Sequence, residues 1–143
     1  VKINDYQKDR FAQKIIDHFG GDLTGKTIAV LGWAFKANTN DSRESASIFI
    51  TEKLLKFGAN IVIYDPKVDY KNVFKDLIFH FGETIKSKFR SIVFVNNIDE
   101  IKEIDAIALT TEWEEFKNYD FSKMMVFDGR KIIESNFYSI GSC

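Results

Sequence analysis

A short apolar run, Thr27–Leu31, that breaks at Gly32 into a polar stretch and then into a helix signal constrains this chain more than any other feature. Thr27-Ile28-Ala29-Val30-Leu31 shows no alternation of apolar and polar side chains, so it predicts a strand covered on both faces, as in the middle of a parallel sheet. Beyond it, Asp41 or Ser42 offers a helix cap, and Glu44 stands three residues after Asp41 at capping-box spacing. That pattern predicts a helix from near Arg43 to about residue 57. A strand that leads through a glycine and a basic loop to a helix N-terminus is a place for anions, because unpaired N–H groups and the helix dipole face the same way.

The rest of the chain repeats this alternation. Asn4 or Asp5 opens a helix in which Phe11, Ala12, Ile15, Ile16 and Phe19 recur at helical spacing, and Gly20-Gly21 closes it. With nothing before it to pack against, it reads as the tail of a helix from a preceding part. A second strand, 60–64, ends at Asp65-Pro66. Asp69 then caps a helix whose Tyr70, Val73, Phe74, Leu77, Ile78 and Phe81 share one face. Strands follow at 91–95, 106–110 and 124–127, with a short helix through Ile98, Ile101 and Ile104, helical turns at 112–119 and an edge piece at 137–140. Strands alternating with helices imply βαβ units and right-handed crossovers, hence an α/β sandwich of three layers on a parallel sheet of about five strands, order 3-2-1-4-5. Ligands in such sheets bind at the carboxyl ends of the strands where the order reverses, here between the first and fourth. Three polar loops meet there: 32–43, 110–113 and 128–130.

Composition excludes several classes of partner. The 143 residues, 45% of them hydrophobic, suit one well-buried domain. The 20 basic and 21 acidic side chains nearly cancel and form no basic tract, which argues against nucleic acid or a membrane surface as partner. No apolar stretch approaches the roughly 20 residues of a membrane span, and the start lacks a signal-peptide core, so a soluble cytoplasmic protein is expected. The single cysteine, Cys143, allows no internal disulfide and has no histidine near it in sequence. His18 and His80 stand alone, and no metal site is expected.

Lys36, between Phe35 and Asn38, can meet a phosphate or sugar oxygen or can be a solvated loop lysine. Arg43 in a first helical turn opposes the dipole and so calls for a bound anion, or for a bridge to Asp41 or Glu44. Arg130, after a buried strand and Gly129, has the planar fork that fits a phosphate or ribose edge, and is otherwise a surface arginine. Trp33, Phe35 and Trp113 can stack on a base, although core packing is the commoner role. Asp65 stands where nucleotide folds often hold a ribose, but the proline after it favours a turn-forming role. Asp128 reads as fixing its own loop, and Thr110, Thr111 and Glu112 as substrate contacts or strand-end caps. The residues after Gly32 argue against a complete dinucleotide site, being Trp, Ala, Phe, Lys and Ala where G-x-G-x-x-G needs bare backbone.

Leu31-Gly32-Trp33-Ala34-Phe35-Lys36, Thr39, Asp41, Arg43-Glu44-Ser45, Tyr64-Asp65-Pro66-Lys67, Thr111-Glu112-Trp113 with Phe116, and Phe127-Asp128-Gly129-Arg130 occur in that order. Together they resemble the C-terminal, UDP-binding domain of the UDP-glucose/GDP-mannose dehydrogenase family, over essentially the whole chain. The resemblance implies an incomplete Rossmann-like fold, with residues 1–20 as the end of an interdomain helical segment and 21–143 as the UDP-sugar-binding domain. It further implies an enzyme that oxidises the sugar C6 hydroxyl to a carboxylate in two hydride transfers to NAD, through a cysteine-bound intermediate. NAD and the catalytic cysteine belong to the family's N-terminal part, so this chain alone is expected to be inactive and to need that domain as its partner. By the same resemblance Phe35 and Lys36 hold the UDP-sugar, Arg130 its ribose-phosphate side, and Arg43 reaches NAD across the cleft. The complete protein is expected to be a homo-oligomer. Arg43-Glu44-Ser45-Ala46 lacks the proline that branches acting on other sugars often carry, which favours the UDP-glucose branch of the animal type over GDP-mannose or UDP-N-acetylhexosamine oxidation. A nucleotide-binding module without chemistry is the alternative from another class. Trp33 departs from the family, which usually has a smaller residue there.

Overall fold

The computed structural model describes residues 2–33, 45–110, 116, 120–121 and 124–129, with side chains from Gln7 onward. Helix α1 (Lys2–His18) precedes strand β1 (Thr27–Leu31), and α2 (Ala46–Lys56) leads to β2 (Asn60–Tyr64). Helix α3 (Tyr70–Phe81) and a 3-10 stretch (Glu83–Ser91) lead to β3 (Ile92–Phe94). A 3-10 turn (Ile98–Glu100), β4 (Ala106–Leu109) and β5 (Val126–Asp128) follow. The strands form one parallel sheet in the order β3-β2-β1-β4-β5, as the sequence predicts.

Burial explains why these segments take these places. β1 pairs on both sides and β4 lies beside it, and from Ile28 to Leu31 and Ala106 to Leu109 every residue is buried. Runs without polar alternation fit only such central positions. The outer strands are shorter and leave side chains partly open, such as Val93 on β3. Helices α1 and α3 both pack against α2. Phe11, Ala12, Ile15 and Ile16 of α1 are all buried in the same core as β1. The segment that reads from sequence as a tail is thus, over these residues, a wall of this domain.

One helix boundary and one helix face differ from the sequence expectation in an instructive way. α2 begins at Ala46 with Ser45 as its N-cap, the Ser45 side chain accepting a hydrogen bond from Ser47 N. The Asp41–Glu44 capping-box spacing therefore does not start the helix, and Arg43 precedes the cap instead of occupying the first turn. The dipole argument for an anion beside Arg43 lapses with it. α3 is capped by Asp69 as expected, but Tyr70 is exposed and the fully buried positions are Val73, Asp76 and Leu77. A carboxylate inside a helix's buried face breaks the apolar pattern, and its reason lies at the site. The strand limits shift by one or two residues: β3 is Ile92–Phe94 and β5 is Val126–Asp128. The turns expected at 112–119 and the edge piece at 137–140 lie outside the described residues, apart from helical, buried Phe116, whose ring faces Tyr64.

Candidate functional site

The carboxyl ends of β1 and β4 meet as neighbours, so the switch point predicted from the strand order is present. Gly32 leaves β1 with φ of 106°, a left-handed backbone that favours glycine, while its N–H still donates to Tyr64 O at 2.8 Å. That turn brings the next amide, Trp33 N, to Asp65 Oδ2 at 2.6 Å. Asp65 Oδ1 accepts from Lys67 N at 2.8 Å and Val68 N at 2.9 Å. Asp65 is therefore a buried turn former that also ties the chain leaving β1 to the end of β2. Trp33 is fully buried and its indole Nε1 donates to Asp76 Oδ2 on α3 at 2.9 Å. Its ring belongs to the core and is not free to stack on a base. Asp76 was missed as a site-supporting residue because its partner is 43 positions away.

A second polar knot closes the other side of the switch point. Ser47 in the first turn of α2 donates to Gly32 O at 2.6 Å, and Thr110 Oγ1, just after β4, lies 2.8 Å from the same carbonyl and 3.1 Å from Leu31 O. The two hydroxyl oxygens are 2.6 Å apart. Each hydroxyl has one proton, so the triangle of Ser47, Thr110 and Gly32 O is held by at most two hydrogen bonds at a time, and at least one edge is a contact without a proton. Thr110 thus acts as a strand-end cap, the plainer of its two sequence readings. Replacing it with valine removes a buried donor shared by three elements and is expected to cost about 1–3 kcal/mol in chemical denaturation. An unchanged midpoint in Thr110→Val would show that the knot carries no stability.

These contacts fix the flanks of the predicted binding loops. Residues 34–44 run between Trp33, held by Asp65 and Asp76, and the N-cap Ser45, both at the carboxyl edge of β1. Gly129, whose N–H donates to Leu109 O at 2.8 Å, precedes Arg130 at the neighbouring edge of β4 and β5. The first turn of α2 contains no acidic residue, so nothing within it offsets the positive end of the helix dipole. The edge suits a phosphate-bearing ligand. Phe35, Lys36, Arg43, Thr111, Glu112, Trp113 and Arg130 themselves lie outside the described residues. No group of side chains that could hold a metal occurs among the described residues.

The family model for the UDP-glucose/GDP-mannose dehydrogenase family, UDP binding domain, matches residues 29–135, from the middle of β1 to beyond β5. The chain belongs to this family. What it matches is the family's UDP-binding domain, as the motifs around Gly32 and Gly129 imply. A UDP-glucose 6-dehydrogenase of Drosophila melanogaster is 37% identical over 94% of this chain and 30% of its own length. UDP-glucose 6-dehydrogenase 4 of Oryza sativa is 34% identical over 99% of the chain and 35% of its own length. The chain spans about a third of these relatives. A UDP-glucose dehydrogenase structure from the archaeon Pyrobaculum islandicum superposes with a TM-score of 0.68 at 26% identity, over 90% of this chain and 27% of that one. The UDP-D-ManNAc dehydrogenase of Pyrococcus horikoshii, at 22% identity and a TM-score of 0.59, shares the fold.

Proposed function

We propose that this domain supplies the UDP-sugar contacts of an NAD-dependent UDP-glucose 6-dehydrogenase, which oxidises UDP-glucose to UDP-glucuronate with two NAD. The observation that carries the reading is the convergence at one switch point of both flanks of loop 34–44 and of the turn before Arg130, inside the span matched by the UDP-binding family model. In this reading Phe35 and Lys36 contact the UDP-sugar, and Arg130 its ribose-phosphate side. Arg43 contributes a single contact to NAD. The identities to UDP-glucose 6-dehydrogenases favour UDP-glucose over GDP-mannose or an N-acetylated UDP-sugar as substrate.

In this reading a whole NAD is not assigned to the turn after β1. The Trp33 amide, which a dinucleotide fold would turn toward the pyrophosphate, is taken by the Asp65 carboxylate at 2.6 Å, and a second anion there would be repelled. The hydride chemistry and the catalytic cysteine are therefore assigned to an N-terminal domain of the longer protein, with residues 1–20 as the end of the connecting segment. The fragment alone is inactive in this account. The complete protein is proposed to be a cytoplasmic homo-oligomer. Among the described residues no helix is long and apolar enough to cross a membrane.

Calorimetric titration of the chain with UDP and GDP tests the assignment. Lys36→Ala and Arg130→Ala should each weaken UDP binding by about 1–3 kcal/mol, the loss of one charge-assisted contact. GDP should bind far more weakly than UDP. Wild-type UDP affinity in both variants would remove these residues from the site.

A further inference from the structure

Helix α1 reaches the nucleotide edge as well as the core. Leu23 N, just past α1, donates to Phe57 O at the end of α2 at 2.9 Å, so the two helices end together at the amino edge of the sheet. Lys8 Nζ lies 4.5 Å from the Phe49 ring centroid, and Lys53 Nζ bonds Asp9 Oδ1 at 2.6 Å. The two helices therefore run side by side in the same direction, and the earlier turns of α1 lie toward the carboxyl edge.

There α1 meets the turn after β5. A Cβ placed on Gly129 would lie 3.0 Å from both Cε1 and Cζ of Phe11 and 3.3 Å from Cδ1. Optimal carbon contacts are about 3.5–4.0 Å, so the Phe11 ring lies directly against the Gly129 backbone. Gly129 is not among the positive-φ glycines, so it is the ring, not the torsion, that demands a residue without a side chain. Phe11 is 1% exposed and Gly129 is buried, which leaves the contact no slack toward solvent. Further along α1, His18 meets the Phe127 ring edge-on at 5.5 Å, so the helix touches both β5 and the residue after it.

We propose that Phe11 is a positioning residue for Gly129, the residue before Arg130 in sequence: its ring is the platform on which Gly129 rests, and α1 thereby fixes the end of the chain leaving β5. The nucleotide half of this inference rests on the reading of Arg130 given above. On the other side Gly129 is held by the hydrogen bond to Leu109 O, so the turn is clamped between a strand end and the ring. Among the described residues, shortening the ring side leaves that hydrogen bond as the remaining hold on Gly129.

The test compares amide hydrogen exchange at Gly129 with that at Ile107, which donates to Met125 O one strand deeper, in this chain and in Phe11→Leu, Gly129→Ala and the double variant. Phe11→Leu should speed Gly129 exchange about tenfold relative to Ile107, by local opening and not global unfolding. Ile15→Val, on the same helix but outside this contact, should leave the ratio unchanged. Gly129→Ala should lower stability, and Phe11→Leu should rescue part of that loss, a non-additive pair. An unchanged ratio in Phe11→Leu, or strictly additive substitutions should Phe11→Leu alone fold poorly, would overturn the proposal. UDP titration separates the two readings. If UDP binds the wild-type chain and Phe11→Leu changes the exchange ratio without changing affinity, the nucleotide role of Phe11 is wrong. If UDP does not bind the wild-type chain, the assignment of Arg130 falls, while the exchange ratio still decides whether Phe11 positions the turn.

Discussion

Asp65→Ala is expected to destabilise the chain by about 2–5 kcal/mol, read as a lower denaturant midpoint at unchanged slope. The carboxylate accepts from three backbone amides, and those of Trp33 and Val68 belong to buried residues with no access to replacement water. Removing it orphans donors on two segments at once, the chain leaving β1 and the turn after β2. Asp65→Asn should cost less, since its carbonyl oxygen can still serve Lys67 and Val68 while its amide group faces the Trp33 N–H. The functional consequence follows from the same bond. Once Trp33 N is released, the first residue before loop 34–44 loses its backbone anchor, and UDP affinity should fall together with stability. Wild-type stability in Asp65→Ala would contradict this account of the switch point.

Trp33→Ala carries the other large expected effect, a loss of about 3–5 kcal/mol, as for a large aromatic removed from a packed core. Trp33 is fully buried and is the largest such side chain among the described residues. Its deletion leaves a cavity in the core where the chain leaves β1 and takes away the indole donor to Asp76. Trp33→Phe separates these contributions, because it keeps much of the ring volume and loses the hydrogen bond, at about 1–3 kcal/mol. Equal midpoints for Trp33→Phe and the wild type would mean that the Asp76 contact contributes nothing. Because the ring is buried, a change in Trp33 fluorescence on ligand binding would report displacement of its packing and not base stacking.

The strands around Gly32 were legible in the sequence because parallel central strands write themselves as short runs with no polar alternation, and Thr27–Leu31 and Asn60–Tyr64 appear where those runs stand. Asp69 was legible as a cap because its bond to Asn72 N is local. The start of α2 was not, since Asp41, Ser42 and Ser45 are all good caps by spacing. The choice of Ser45 places Ser47 against Gly32 O and Thr110, contacts of 15 and 63 positions. Trp33 was ambiguous for the same reason: its partner Asp76 sits on another helix, and no local pattern announces a carboxylate that faces inward. Phe35, Lys36, Arg43 and Arg130 were candidates by position, each with a plainer reading beside it; only the family motif gave them specific roles toward the UDP-sugar and NAD. Phe11 was legible as core but not as the neighbour of Gly129, because its other wall comes from the far end of the chain.

In the proposed function the carboxyl edge between β1 and β4 binds UDP. Amide chemical-shift mapping of the chain during titration with UDP tests it most directly, because Gly32, Ser45, Ser47 and Gly129 mark that edge while Thr27, Asn60 and Asp105 mark the opposite one. Saturable shifts are expected at the first group, with quiet amides in the second and no comparable response to GDP. Shifts confined to the Thr27 end of the strands, or an equal response to GDP at the same amides, would contradict it.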